Sequence, residues 1–325
     1  MSSSVEVSIS CLTYNHEKYI RQTLEGFVKQ KTNFRFEVLI HDDASTDGTQ
    51  EIIKEYQLKY PDIIKPIFQK ENQYEKRVQI SKTYNYSRAL GKYIALCEGD
   101  DYWTDENKLQ MQYDALENDK SCSFSVHKVR HINAEGDLLK GIFPRVDLAG
   151  GKITVNKYLQ LELVDNIWLF QTSSYFIRKE VIDKYSDYRF GYPCGDLPLV
   201  LFSLQYGNCW YIPKEMSCYR INSGGAMTKI KDENDANINY YTRMKTGHEA
   251  FDKFSEYKYH EKFKSAIAFS EVQILKSRGE YRKILKKEYV KVLIKMNWKN
   301  VFLILAGCIN ATLGMKIYNY FRSKK

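Results

Sequence analysis

The sequence predicts an α/β fold: a mostly parallel, Rossmann-like central sheet followed by a C-terminal helical region. Three observations carry that expectation. Strand-like and helix-like runs alternate through the first 130 residues, as βαβ units require. Two acidic clusters fall directly after strand-like runs, where open α/β sheets bind ligands. From Asn234 onward the periodicity is helical.

In order, residues 5–12 form a short apolar, β-branched run and 17–29 have helical spacing. Residues 36–41 (FEVLIH) read as a buried strand, followed by a helix over 46–60 with Asp47 in its first turn. A third strand is expected at 63–69, a helix at 80–90 and a fourth strand at 93–97 (YIALC). Residues 108–117 read as a helix, and 123–131 alternate like a strand. INAEGD and FPRVDLAGG read as turns, with a short helix after Thr154. A strand is expected at 173–178, a helix at 197–205 and two short strands at 208–212 and 216–220. The polar stretch 222–232 contains Gly224 and Gly225 and reads as a loop that closes over phosphates. Helices are expected at 261–276 and 281–295.

Composition excludes several classes. With 325 residues, 43% of them hydrophobic, the chain can bury a sizeable core, and wholesale disorder is ruled out. Seven scattered Cys, none in a C-x₂₋₄-C knuckle, argue against structural zinc and for reduced thiols. The N-terminus lacks the basic start and long apolar run of a signal peptide, so a cytoplasmic location is expected. The net charge of +9 is concentrated: residues 281–325 hold eleven Lys/Arg against one acid, Glu288, leaving −1 for residues 1–280. The folded body is thus neutral, which argues against a nucleic-acid partner. The basic tail points to an acidic surface. Residues 301–315 carry no charge but are too short and too interrupted to span a bilayer. With basic residues on both flanks, they suit a segment lying on an anionic membrane surface. Packing of 301–305 as a core helix is the alternative.

The acidic clusters carry the chemistry. Asp42, Asp43 and Asp47 follow FEVLIH, and Glu98, Asp100 and Asp101 follow YIALC. Crowded carboxylates raise one another's pKa unless something positive sits among them. Mn²⁺ or Mg²⁺, held by one or two carboxylates and completed by substrate phosphates, answers that need. Asp47 reads more simply as a helix cap. His127 and His131 share a strand face without a third ligand and read as structural. DDASTDGT lacks the D-x-D-x-T spacing of haloacid-dehalogenase phosphatases, and there is no G-x-G-x-x-G or Walker A loop.

The segments SISCLTYNHEKYIRQTLEGFVKQ, FEVLIHDDASTDGT and GKYIALCEGDDYWTDENKLQMQ resemble bacterial family 2 glycosyltransferases with a GT-A fold, of the kind that builds cell-surface polysaccharides. The resemblance covers roughly residues 5–225. It implies a nucleotide-sugar donor, a divalent cation and inversion at the anomeric carbon. It implies a catalytic domain over 1–232, with a nucleotide-binding half to about 131 and an acceptor half over 132–232, ahead of the helical region 233–325. By position, Thr13 and Tyr14 line the nucleobase pocket and Asp43 accepts the N3–H of a uracil-type base. Lys82 stands where the family often has Arg. Glu98, Asp100 and Asp101 replace the usual D-x-D, with the cation expected on Asp100 and Asp101 and Glu98 nearer the ribose.

Asp196, in YPCGDLPLVLF, matches the general base that deprotonates an acceptor hydroxyl, although an N-cap would look the same in sequence. Arg220 matches a basic position facing the departing diphosphate, or is a strand residue. Asn166 and Trp168 shape the acceptor pocket or the core. The expectation is therefore a metal-dependent, inverting transferase using a UDP-sugar, peripheral on the inner face of the membrane, with a glycan or lipid-linked acceptor. A nucleotide-sugar-forming nucleotidyltransferase would need a Gly-rich basic loop where LTYNHEKY stands. A non-catalytic membrane-binding scaffold would leave the acidic clusters unexplained.

Overall fold

The computed structural model describes residues 4–76, 78–185, 190–221, 234–296, 298–310, 312, 314 and 316. The chain divides into two compact units. The first comprises Met1–Tyr158, Ile167–Asp187 and Leu199–Ile221; the second comprises Leu159–Asn166, Tyr188–Pro198 and Asn222–Lys325.

The first unit holds a ten-stranded sheet. Its parallel half is β3 (Ile64–Phe68), β2 (Arg35–Asp42), β1 (Val5–Thr13) and β4 (Tyr93–Glu98), in that order. Alternate residues of these strands, Val7, Ile9 and Cys11, Val38 and Ile40, Tyr93 and Ala95, join one core cluster, while Ser8, Ser10, Glu37 and His41 between them are buried polar residues. α1 (Ile20–Val28) buries Ile20, Leu24 and Phe27 at helical spacing, with Phe27 edge-on to Trp103 at 4.8 Å. α2 (Thr49–Lys59) adds Ile53 and Tyr56, and α3 (Lys108–Asn118) adds Leu109 and Leu116. Beyond β4 the sheet becomes mixed. β9 (Phe176–Arg178) runs antiparallel between β4 and β6 (Cys122–Ile132), and β10 (Asn208–Arg220) is parallel to β6. β5 (Tyr102–Trp103), β7 (Leu138–Phe143) and β8 (Gly151–Ile153) pair antiparallel at the margins.

Several elements depart from their expected form, each for a local reason. The helix expected at 80–90 is a π-turn, Ser81–Asn85, followed by a 3₁₀ turn, Tyr86–Arg88. Buried Asn85 is tied to β1 through Ser10 Oγ (3.0 Å) and the Cys11 carbonyl (3.2 Å). The two strands expected at 208–212 and 216–220 are one strand whose register slips between Ile212 and Glu215, where Pro213 cannot donate to the ladder. The strand expected at 173–178 begins only at Phe176. Before it, Gln171 holds a 3₁₀ turn by accepting from Ser173 N (2.7 Å) and Ser173 Oγ (2.5 Å).

The second unit is helical. α7 (Asn234–Phe254) and α8 (His260–Ser277) bury Phe251 and Phe263, whose rings lie 5.7 Å apart. The helix expected at 281–295 is broken into 3₁₀ turns at Tyr281–Leu285 and Lys287–Tyr289, then α9 (Val290–Lys295). Lys286 is extended (ψ 149°), and Tyr289 donates to Glu271 Oε2 at 3.0 Å. α10 (Trp298–Ile309) packs Leu303 and Ile304 into a core with Tyr281, Ile284 and Val292. Among the described residues no helix is long and apolar enough to cross a membrane.

Candidate active site

The order β3-β2-β1-β4 reverses direction between β1 and β4, since the chain adds strands on one side of β1 and then on the other. Ligands of open α/β sheets bind at the carboxyl ends of strands beside such a reversal. Leu12 is in register with Glu98, and Gly99 N donates to the Leu12 carbonyl at 2.9 Å, so Thr13 and Glu98 emerge side by side. Glycine is required between Glu98 and Asp100. A Cβ on Gly99 would stand 2.7 Å from Thr13 Oγ1 and 2.9 Å from His16 Nδ1.

Carboxylate oxygens of Glu98, Asp100 and Asp101 lie within 4.8 Å of one another, the one such group of potential metal ligands among the described residues. Glu98 is exposed, Asp100 half-buried and Asp101 buried. Asp101 accepts from Arg220 N (2.9 Å) through Oδ1 and from Gln171 Nε2 (2.7 Å) through Oδ2. Burial, and then the charges of Asp100 and Glu98, push its pKa well above the ordinary carboxylate range.

Arg220 closes the other side of this loop. Its guanidinium donates to the Asp100 carbonyl (2.9 Å), Gln22 Oε1 (2.9 Å) and the Asn133 and Ala134 carbonyls (3.3 and 3.1 Å). It also sits 4.5 Å from the centre of the Tyr19 ring. The side chain expected to face a diphosphate therefore binds the backbone of the acidic loop. Gln171, which sequence reasoning passed over, is the second support. Its signal was the polar run QTSS, whose 3₁₀ turn fixes the amide against Asp101.

On the β1–β2 side, Thr13 Oγ1 is buried without a hydrogen-bond partner, and Tyr14 is exposed. Asp43 is buried, its Oδ1 accepting from Gln73 N (2.7 Å) and its Oδ2 from Tyr74 N (3.0 Å). Lys82 is exposed on the π-turn. His16 was also missed by sequence reasoning. Its Nδ1 is buried and unpartnered, and burial holds its pKa below the usual range against the opposing charges of Asp100, Asp47 and Asp42. Asp47 stands one residue before Gly48, the N-cap of α2, and accepts from Thr49 N (3.0 Å) and Glu17 N (3.1 Å). His131 packs against Phe143, and buried His127 bonds the Lys128 carbonyl through Nδ1.

Asp196 lies in the second unit, at the first residue of α6 (Asp196–Ser203), where Oδ1 accepts from Leu197 N at 2.9 Å. Burial, with the negative charges of Asp196 and Glu162 behind it, raises the pKa of Cys194, and the same groups contribute at Tyr240. Asn166 is exposed in the left-handed region at φ 53°. Trp168, in the first unit, donates to the Phe170 carbonyl (2.8 Å) and packs on Phe143. The loop expected over 222–232 lies outside the described residues.

A family model described as glycosyl transferase family 2 matches residues 8–185. An uncharacterized protein of Mycobacterium tuberculosis is 43% identical over 132 residues, which is 40% of this chain and 37% of that relative. The chain thus aligns with little more than a third of that relative's length. S. aureus TarS, solved in complex with UDP-GlcNAc, superposes with a TM-score of 0.58 at 16% identity over 99% of this chain and 93% of its own. A mannosyltransferase from Pyrobaculum calidifontis, solved with GDP-Man and Mn²⁺, gives 0.57 at 13% identity over 98% and 86%. At such identities these structures establish a shared fold.

Proposed function

The chain belongs to glycosyl transferase family 2, and from that premise we propose a metal-dependent, inverting transfer of a sugar from a UDP-sugar to a glycan or lipid-linked acceptor in cell-surface polysaccharide synthesis. The observation that carries this reading is the Glu98–Asp100–Asp101 cluster at the strand-order reversal. Three carboxylates this close, one of them pushed upward in pKa by the other two and by burial, suit a hard divalent cation. Asp100 and Asp101 would hold it, Asp101 through the lone pairs that the single hydrogen bonds from Arg220 and Gln171 leave open, with Glu98 nearer the ribose. Such a cation neutralises charge on a departing nucleoside diphosphate. The metal seen in the P. calidifontis mannosyltransferase and the UDP-GlcNAc in TarS support the same reading.

The chain's own residues have distinct tasks. Thr13 Oγ1 offers an unsatisfied group to the donor, and the exposed Tyr14 ring offers a stacking surface for the base. Asp43, oriented by the Gln73 and Tyr74 amides, keeps lone pairs for the N3–H of uracil. Lys82 lies near the base and phosphates. Arg220 and Gln171 hold the acidic loop in place. Asp196 takes the proton from the acceptor hydroxyl, and attack on the face opposite the diphosphate inverts the anomeric centre. The catalytic domain covers 1–232, and the reaction takes place at the inner face of the membrane.

Thermal shift with UDP and Mn²⁺ tests this directly, paired with a screen of UDP-, GDP- and TDP-sugars for donor hydrolysis. Stabilisation that needs both UDP and metal, with metal-dependent hydrolysis of a UDP-sugar, is expected. UDP binding indifferent to metal would sink the site assignment, and hydrolysis of a GDP- or TDP-sugar alone would sink the choice of UDP.

A further inference from the structure

α10 carries two opposed apolar faces. Leu303, Ile304, Ala306 and Gly307 are buried. Trp298, Phe302, Leu305 and Ile309 are 70%, 52%, 51% and 83% exposed. At 3.6 residues per turn, these four fall within roughly 60° of arc, so they form one stripe. One helix earlier, Val290 and Ile294 stand a turn apart and are also exposed. Single exposed apolar residues need no explanation, but a contiguous stripe marks a contact surface.

Charge selects the partner. The segment from 281 onward has eleven basic residues and one acid. Lys291, Lys299 and Lys316 are exposed on or near these helices. A second copy of this chain docking through the same stripe would bring two strongly basic segments together, which repel. A nucleic acid would match the charge but not the indoles and aliphatics. An anionic lipid surface matches both, and no described helix is long and apolar enough to cross one.

We propose that α10 lies in the plane of an anionic membrane, with Trp298, Phe302, Leu305 and Ile309 entering the headgroup–acyl boundary. Lys291, Lys299 and Lys316 meet the headgroups. This geometry is that of an interfacial amphipathic helix, with affinity from buried apolar area and from charge together. It rests on the membrane location proposed above and narrows the contact from residues 301–315 to one face of α10, but it uses no property of the donor site.

The experiment is vesicle flotation of the full-length chain without nucleotide. The vesicles are phosphatidylcholine with or without phosphatidylglycerol, at low and at high salt. The protein is expected to float with the anionic vesicles at low salt and to be released by salt or by pure phosphatidylcholine. The double variant Trp298→Glu/Phe302→Glu should lower partitioning by at least ~10-fold, since it removes two inserted side chains and adds two like charges to the contact. Phe302→Leu should retain binding, and both variants should keep the wild-type Tm and UDP–Mn²⁺ shift. Failure of the full-length chain to float at low salt would overturn the proposal, as would flotation unchanged in the double variant. Light scattering that shows a dimer broken by the double variant would assign the stripe to a second copy instead. Retained flotation with no UDP–Mn²⁺ shift would instead count against the transferase reading.

Discussion

Asp100 and Asp101 are neighbours in sequence with opposite environments. Asp100 is half-buried at the rim of the cluster, whereas Asp101 is 1% exposed and takes one hydrogen bond on each oxygen. Asp100→Ala is expected to abolish Mn²⁺-dependent stabilisation by UDP while leaving the Tm of the free protein within about 1 °C, as for a substitution away from the core. Asp101→Asn should act first on the fold. An amide N–H would face the Arg220 or Gln171 donor, at a cost of about 1–3 kcal/mol, read as a lowered Tm. Lost metal response in Asp101→Asn at an unchanged Tm would mean that Asp101 serves as a ligand without anchoring the loop. Asp196→Asn is expected to keep donor affinity and lower kcat by about 10²–10⁴. If more than about a tenth of the rate survives, Asp196 is a helix cap.

Arg220 shows how an element's end does work that its sequence context hides. It is the last residue of β10, and its four acceptors come from the acidic loop, α1 and the β6–β7 turn. Arg220→Met should weaken Mn²⁺ affinity by about tenfold or more with kcat at saturating metal largely retained, because the loop is loosened rather than stripped of ligands. Arg220→Lys should fail to restore it, since an ammonium cannot reproduce the planar fork over Tyr19. Full metal affinity in Arg220→Met would remove the positioning role. The sequence expects Arg220 to face the departing diphosphate or to be a strand residue; its backbone contacts are not legible there, because an exposed arginine and one folded onto backbone carbonyls have the same one-letter context. Gln171 and His16 went unnoticed for a related reason: neither sits in an acidic cluster, and their bearing on the site comes from β9 and α1 arriving beside β4. The spacing of 81–85 is helical and does not tell a π-turn from an α-helix; the tie of Asn85 to β1 is likewise set by the fold.

At the scale of the whole molecule, pH dependence reports on the core of the first unit. Lys108 is fully buried, its Nζ 2.6 Å from Gln112 Oε1 and 3.9 Å from the centre of the Trp103 ring. Burial pushes its pKa down to about 7 from an ordinary 10.5. Between those values the unfolded chain binds the proton that the folded chain lacks, so this group adds stability as pH rises through that window and withdraws it as pH falls toward 7. Relative to Lys108→Met, the wild type should gain Tm between pH 7 and pH 9, with differences of a few degrees given ~2–4 °C per kcal/mol for a chain of this size. Parallel Tm–pH curves for the two proteins would show that Lys108 stays charged when buried.

What the sequence by itself determined was local and periodic. The strands of the parallel half, the helices between them and the acidic runs at strand ends follow from hydrophobic spacing and from residue chemistry, both carried by near neighbours in the chain. The same holds for the concentration of charge after residue 281. What only the tertiary structure decided was pairing across long separations: the antiparallel β9 between β4 and β6, the Arg220–Asp101 contact across 119 positions, and the Gln171–Asp101 bond across 70. It also decided which face of α10 is buried and which is left bare. The reason is physical. Periodicity records that a residue faces something apolar or something wet, but the partner that fills that space comes from another part of the chain. Its identity is set by packing and hydrogen-bond satisfaction in three dimensions.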